Sequence, residues 1–187
     1  YTIQKTILFK GNASVTNGAF KITIIVPKDI DYKYGLGKIS YYASDNKIID
    51  AAGFHLVNVG GTDNSIPVDN KGPVVNVFMN DDKFIFGGLT DQNPLLYVKL
   101  SDDNGINLSN ASVGHDLVAI LDNNTQNSYI LNQYYESSKD DYTKGDLKYP
   151  LKNLSEGKHT ITVKAWDTFN NSGEGNTEFI VSLSAVS

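Results

Sequence analysis

From Phe20 to Val26 the chain reads Phe-Lys-Ile-Thr-Ile-Ile-Val, placing Phe20, Ile22, Ile24 and Val26 on one side and Lys21 and Thr23 on the other. A period of two is what a pleated strand imposes when one face is buried and the other meets water. The pattern predicts a half-buried strand that Pro27 ends. The same alternation opens the chain, and it returns in Ile161, Val163 and Ala165 against Thr160, Thr162 and Lys164. No stretch sustains the apolar period of about 3.6 residues that a surface helix needs. Between the alternating runs sit Thr16-Asn17-Gly18, Tyr34-Gly35-Leu36-Gly37 and Asp103-Asn104-Gly105, where Gly and Asn tolerate positive φ and predict turns. The expectation is an all-β chain of short strands, hence an immunoglobulin-like β-sandwich, with two sandwich-like units in tandem.

The boundary between the units falls where Gly60-Gly61-Thr62-Asp63-Asn64 leads through Val68-Asp69-Asn70-Lys71 to Gly72-Pro73, a polar Gly- and Pro-containing segment of the linker type. Residues 72–187 divide into seven strands of one immunoglobulin-like sandwich, near Val74–Met79, Leu95–Leu100, Leu117–Asp122, Ser128–Tyr135, Asp146–Pro150, His159–Trp166 and Thr177–Ser182. Residues 1–71 have room for four or five strands, which makes them a small or an N-terminally truncated β-sandwich domain.

Composition removes several classes of function. The net charge is −5 and all sixteen basic residues are Lys, so no guanidinium is present to fork onto phosphate or a guanine edge, and a nucleic-acid partner is not expected. No run approaches the roughly 20 apolar residues of a membrane span, and the opening Tyr1-Thr2-Ile3-Gln4-Lys5 lacks the apolar core of a signal peptide. The missing initiating Met suggests a mature form or an excised fragment. With no Cys the chain can hold no disulfide, thiolate zinc site or cysteine nucleophile.

In an immunoglobulin-like sandwich the loops after the second and sixth strands emerge at the same end. Here those loops are Ser101–Asn107 and Asp167–Gly173, both rich in carboxylate and amide oxygens, and both face a linker that carries Asp69 and Asn70. Oxygen ligands gathered in this way suit Ca²⁺, which takes six to eight of them. The candidate metal set is Asp102, Asp103, Asp167, Asn170 and Asn171. Their spacing departs from the D-x-[DN]-x-[DN]-G loop, and turn residues whose side chains bond their own backbone are the plainer account of them.

Gly114-His115-Asp116 invites comparison with a triad, but neighbours on a strand point to opposite faces, and no Gly-x-Ser-x-Gly elbow supplies a nucleophile. His115 is expected to enter a strand and bond a neighbouring loop. Neither His55 nor His159 has a second imidazole at zinc-ligand spacing. Tyr32, Tyr34, Tyr41 and Tyr42, or Tyr134 and Tyr135, could present a glycan or peptide surface, although packing on a pleated sheet is the plainer account of Tyr in such strands. Trp166 lies out of register with Ile161, Val163 and Ala165 and is expected to cover a flank or end of the sandwich.

The ordered series Leu8–Phe20, Val26–Tyr32, Gly37–Ala43, Gly87–Pro94, Asp103–Asn107, Gly114-His115-Asp116 and Glu156–Asn171 resembles a segment that follows the peptidase domain in gingipain-like proteins of Bacteroidetes, in the branch acting as sortases of the type nine secretion system. The resemblance implies a parent cysteine endopeptidase with its Cys/His pair in an upstream α/β domain, which removes the C-terminal sorting domain of exported cargo and attaches the cargo to lipopolysaccharide at the cell surface. None of that chemistry maps onto these residues. The chain is therefore expected to be a noncatalytic, extracellular part of such a protein. Its partners by resemblance are the upstream peptidase domain, secretion-system components and exported cargo. A Ca²⁺- or glycan-binding extracellular module is the alternative, with Ca²⁺ the sole cofactor considered.

Overall fold

The computed structural model describes residues 6–30, 33–45, 50–63, 65, 68–109 and 114–183. Alternation becomes strand wherever a partner lies in register. Strands β1 (Gly35–Ser44) and β2 (Asp50–Val59) form an antiparallel hairpin that pairs with no other strand among the described residues. The remaining strands are β3 (Val74–Met79), β4 (Gly88–Thr90), β5 (Leu95–Ser101), β6 (Val118–Leu121), β7 (Ser128–Ile130), β8 (Tyr135–Ser137), β9 (Lys144–Pro150), β10 (Gly157–Trp166) and β11 (Ser172–Val181). They make two sheets, ordered β4-β11-β10-β6-β7 and β3-β5-β9-β8. This is the strand order of an immunoglobulin sandwich, with the short β4 added in parallel to the last strand.

The core between the sheets follows from the alternation. Leu96, Val98 and Leu100 of β5 meet Ile161, Val163 and Ala165 of β10, all of them buried. Each fully buried side chain of this kind contributes about 1.5–3 kcal/mol relative to exposure. On β11 the inward positions run Gly173, Gly175, Thr177, Phe179 and Val181, from no side chain to a full ring. The two sheets approach each other closely at the glycine end of that series. At the glycine end a Cβ on Gly173 would stand 1.9 Å from the Pro73 carbonyl oxygen, and one on Gly175 would stand 2.1 Å from that of Val75. Backbone therefore lies directly on backbone there, while Phe179 packs into the core at the other end.

Several local expectations change. Phe20, Ile22, Ile24 and Val26 lie on an extended segment without a ladder and remain 39–47% exposed. The Asn17-Gly18 turn forms as expected, with both residues at positive φ and Thr16 bonded to Ala19. Beyond that rung the arms part, because the first arm bonds elsewhere. Lys10 O accepts from Ser137 N–H (2.9 Å), Asn12 O from Asp140 N–H (2.9 Å), and Ser14 N–H and Oγ donate to Asp140 (2.7 and 2.5 Å). The edge of β8 and the loop after it thus replace residues 20–26 as the partner of the first arm. A cleft of about 250 Å³ opens between the arms, lined in part by Ala13, Ile22, Asp140 and Tyr142.

Tyr34-Gly35-Leu36-Gly37 is no turn but the entry of β1. The expected strand Ser128–Tyr135 is interrupted by a 3₁₀ turn at Asn132–Tyr134, which passes the chain from one sheet to the other between β7 and β8. Where four or five strands were expected in residues 1–71, the described residues hold the β1–β2 hairpin alone. The alternating Tyr1–Lys5 lies outside the described residues, as does Tyr32.

Candidate functional site

The loop after β5 and the loop after β10 meet at one end of the sandwich. Asn107 N–H donates to Trp166 O (2.8 Å), Thr168 N–H to Gly105 O (3.3 Å) and Thr168 Oγ1 to Asn104 O (3.0 Å). Gly105 turns the chain at φ +84°, a conformation that a Cβ would strain. The linker then brings Asp69 across both loops. Asn104 Nδ2 donates to Asp69 Oδ2 (2.6 Å) and Asn171 Nδ2 to Asp69 O (3.2 Å).

Carboxylate oxygens of Asp69, Asp102 and Asp167 consequently lie within 4.8 Å of one another. Asp167 is fully buried. Its Oδ1 accepts from Phe169 N–H (2.8 Å) and Asn171 N–H (2.7 Å), and its Oδ2 from Asn171 Nδ2 (2.8 Å). Most of its acceptor capacity thus closes its own loop. Asp69 is held below the usual carboxylate range chiefly by the Lys71 N–H on its Oδ1. Asp102 moves the other way, to about 6: burial raises it, the Asn104 N–H offsets part of that, and the carboxylates of Asp167, Asp69 and Asp103 raise it further. Of the five residues expected as ligands, the structure brings Asp102 and Asp167 together, leaves Asp103 exposed, and spends Asn171 on Asp167 and Asp69. Asn170 sits at φ +69° with its Oδ1 buried.

The raised Asp102 has a signed consequence. The folded state holds this proton more tightly than the unfolded chain, so stability from this group falls as pH rises from about 4 to about 6. Asp102→Asn is expected to raise the melting temperature at pH 7.5 in chelator by roughly 2–4 °C, the shift of about 1 kcal/mol in a chain of this size. At pH 4 the same substitution changes little. Thermal melts at the two pH values check this, and a fall at pH 7.5 would refute it.

A second network lies beside this end. Asn107 Nδ2 donates to Asp29 Oδ2 (3.0 Å), His115 Nδ1 approaches the same oxygen (3.4 Å), and Lys28 N–H donates to Thr168 O (2.9 Å). His115 stacks on Trp166 with centroids 4.2 Å apart, so Trp166 covers this end as its register suggested. Residues 9–29 therefore strap the sandwich from the β8 edge to the acidic loops. Nothing local in the sequence links Asp29 to residues 78 and 86 positions away.

A Ser–His–Asp series does exist, but not at His115. Ser155 Oγ, His159 Nε2, His159 Nδ1 and Asp122 Oδ2 follow one another at 3.4 Å and 2.7 Å across the ring. His159 Nε2 nevertheless lies nearer to the Ser155 carbonyl oxygen, at 2.8 Å, than to the Ser155 hydroxyl. An Nε2 that donates to that carbonyl cannot take the hydroxyl proton, and 3.4 Å is long for a bond from nucleophile to base. Among the described residues, the Tyr side chains expected to present a glycan surface do not all share one face. Tyr135 is 1% exposed, Tyr134 packs edge-on against Tyr149, and Tyr41 and Tyr42 are neighbours on β1 that point to opposite faces.

No protein-family model and no curated protein sequence matches the chain. Among solved structures it matches the crystal structure of dimeric latent PorU from Porphyromonas gingivalis with a TM-score of 0.62 and 31% sequence identity, over 92% of this chain and 16% of that one. This chain is related in fold and sequence to a part of PorU. The match agrees with the resemblance carried by the ordered motifs from Leu8 to Asn171, and the chain spans a minor share of PorU's length. Among the described residues no helix is long and apolar enough to cross a membrane.

Proposed function

We propose that this chain is a noncatalytic structural and protein-interaction module of a larger cell-surface cysteine peptidase of the sortase type that serves type nine secretion, lying C-terminal to the peptidase domain. The observation that carries this reading is the similarity to PorU, 31% identical over 92% of the chain while accounting for 16% of that protein. The chemistry of the chain is consistent with it: there is no Cys, and the Ser–His–Asp series found among the described residues has a carbonyl oxygen 2.8 Å from its base nitrogen. A strapped sandwich can brace a neighbouring domain, and its end loops are offered to neighbours in the same polypeptide, to secretion components and to exported cargo. On this reading residues 72–187 are the immunoglobulin-like domain, and residues 1–71 are a second, small β unit that holds the β1–β2 hairpin and lays residues 9–29 along the sandwich. Limited proteolysis tests the division, since a stable 72–187 core after cutting within 60–71 supports it and random fragmentation counts against it.

The experiment that tests the function is made on the longer gene product. Removal of the C-terminal sorting segment from a cargo protein is expected to require an upstream Cys, while the purified 187-residue chain turns over neither peptide nor ester substrates. An upstream region without a Cys/His pair would sink the assignment.

A second reading, cation binding at the acidic loops, is favoured by the three carboxylates within 4.8 Å. Asp69, Asp102 and Asp167 would be the ligands, with Ca²⁺ the fitting ion for an all-oxygen set. A ligand selective for the folded state stabilises it by about 2.7 kcal/mol at a concentration of 100 Kd. Calcium is therefore expected to raise the melting temperature of the parent chain and not of Asp102→Asn. An unchanged temperature on addition of calcium or EDTA ends this reading.

A further inference from the structure

His159 opens the inward face of β10, 7% exposed, with Phe179 opposite it in register and the two rings stacked at 5.5 Å. The nearest group to each of its ring nitrogens only accepts, the Ser155 hydroxyl standing farther from Nε2 at 3.4 Å. Nδ1 lies 2.7 Å from Asp122 Oδ2, at the turn that ends β6, and Nε2 lies 2.8 Å from Ser155 O, in the loop that enters β10. A neutral imidazole has one N–H and one lone pair, so it can satisfy one of these acceptors and must repel the other. Only the imidazolium satisfies both. We propose that His159 is a pH-sensitive staple: doubly protonated, it ties the 151–156 loop to the β6 turn, and on losing a proton it releases one of the two.

The surroundings make the staple dependent on one charge. Among the described residues that touch the ring, β6 contributes the Asp122 carboxylate, the preceding loop contributes the Ser155 carbonyl and hydroxyl, and β11 contributes the uncharged Phe179. The neighbouring Lys158 on β10 is paired with Glu178 of β11 at 2.6 Å. Burial is the largest single influence on the ring and alone would lower its pKa, but the Ser155 carbonyl and the Asp122 carboxylate together raise it above 6.5. The sign follows: a raised folded pKa contributes stability in full below 6.5, and that contribution is lost as pH rises through the folded value. What loosens is an assembly of three segments, because Leu154 N–H also donates to Gln92 O (3.0 Å), Thr160 N–H to Asp122 Oδ1 (2.9 Å) and Asp122 N–H to Thr160 O (2.7 Å). This end of the sandwich is the one opposite the acidic loops, so the staple is a separate device from Asp102.

The test uses the full chain labelled with ¹⁵N and titrated from pH 5 to 9. Both ring nitrogens of His159 are expected to carry protons at pH 6.5 and to lose one above it. Amide exchange at Asp122, Leu154 and Thr160, corrected for its intrinsic pH dependence, is expected to rise about tenfold across that transition, the effect of losing a charge-assisted hydrogen bond. Asp122→Asn is the discriminating variant. Asn tolerates the φ of +52° at this position, and its carboxamide oxygen can keep the Thr160 N–H. It turns a donor toward Nδ1, which then suits a neutral ring with its proton on Nε2. The variant is expected to lower the His159 pKa below that of the parent chain and to abolish the pH-dependent rise in exchange. A singly protonated His159 at pH 6 in the parent chain, or an exchange step that persists in Asp122→Asn, overturns the proposal.

Discussion

Phe179→Ala is expected to lower the unfolding free energy by about 3–5 kcal/mol, the range for truncating a fully buried aromatic ring. The ring is 0% exposed and stands in the core, at the end of β11 away from the glycines and against His159. Its loss leaves a cavity that the frame cannot collapse to fill, because the other end of β11 is already in backbone contact with β3 through Gly173 and Gly175. At about 2–4 °C per kcal/mol for a chain of this size, the melting temperature falls by roughly 6–20 °C. Phe179→Leu, which keeps most of the volume, is expected to recover more than half of that. Denaturant melts of the three proteins check the prediction, and a loss below about 1 kcal/mol in Phe179→Ala would show that the sheets can close over the gap.

Gly175→Ala carries the second large effect by the opposite mechanism. The added Cβ would lie 2.1 Å from the Val75 carbonyl oxygen and 3.1 Å from the Val75 Cβ, and the obstruction is backbone, which has no rotamer to escape into. The two sheets must separate at the edge where they now touch, at a cost of about 3 kcal/mol or more, the upper range for overpacking. Gly35→Ala is the control, because its Cβ would meet nothing nearer than Lys33 O at 4.0 Å. The expected contrast is a near-neutral Gly35→Ala and a strongly destabilised Gly175→Ala. Equal effects would mean that strand propensity, and not the close approach, sets the cost.

The two titrating sites add a common trend. Asp102 withdraws stability as pH rises from about 4 to about 6, and His159 withdraws it above 6.5. They act at opposite ends of one sandwich, so substitution of one leaves the pH window of the other in place.

Alternation in the sequence located β3, β5, β6, β9 and β10 to within two residues at each end, and the second half of β11, whose first half Ser172–Asn176 it missed, because a face that must be buried imposes its period on any strand that buries it. It also placed Ile161, Val163 and Ala165 inward and set Trp166 apart from them. The same reasoning misread Phe20–Val26 as a half-buried strand. Its alternation is as clear as that of β10, yet the ladder that would complete it is absent, since the facing arm bonds Ser137 and Asp140 instead. A period of two states which side chains share a face; it does not state which backbone will lie alongside.

That distinction separates what was legible in this chain from what was not. Residue types and spacing determined an all-β sandwich, its turns at Asn17-Gly18 and Asn104-Gly105, and an acidic end built from the loops after β5 and β10. Only the tertiary structure joined Asp69 to Asp102 and Asp167, Asp29 to Asn107 and His115, and Asp122 to His159. Each of these contacts spans more than thirty positions, and its chemistry depends on distances that chain closure fixes and local preference does not. The glycines of β11 make the same point: their spacing in the sequence permits a close approach, and the strand that fills it comes from the other sheet.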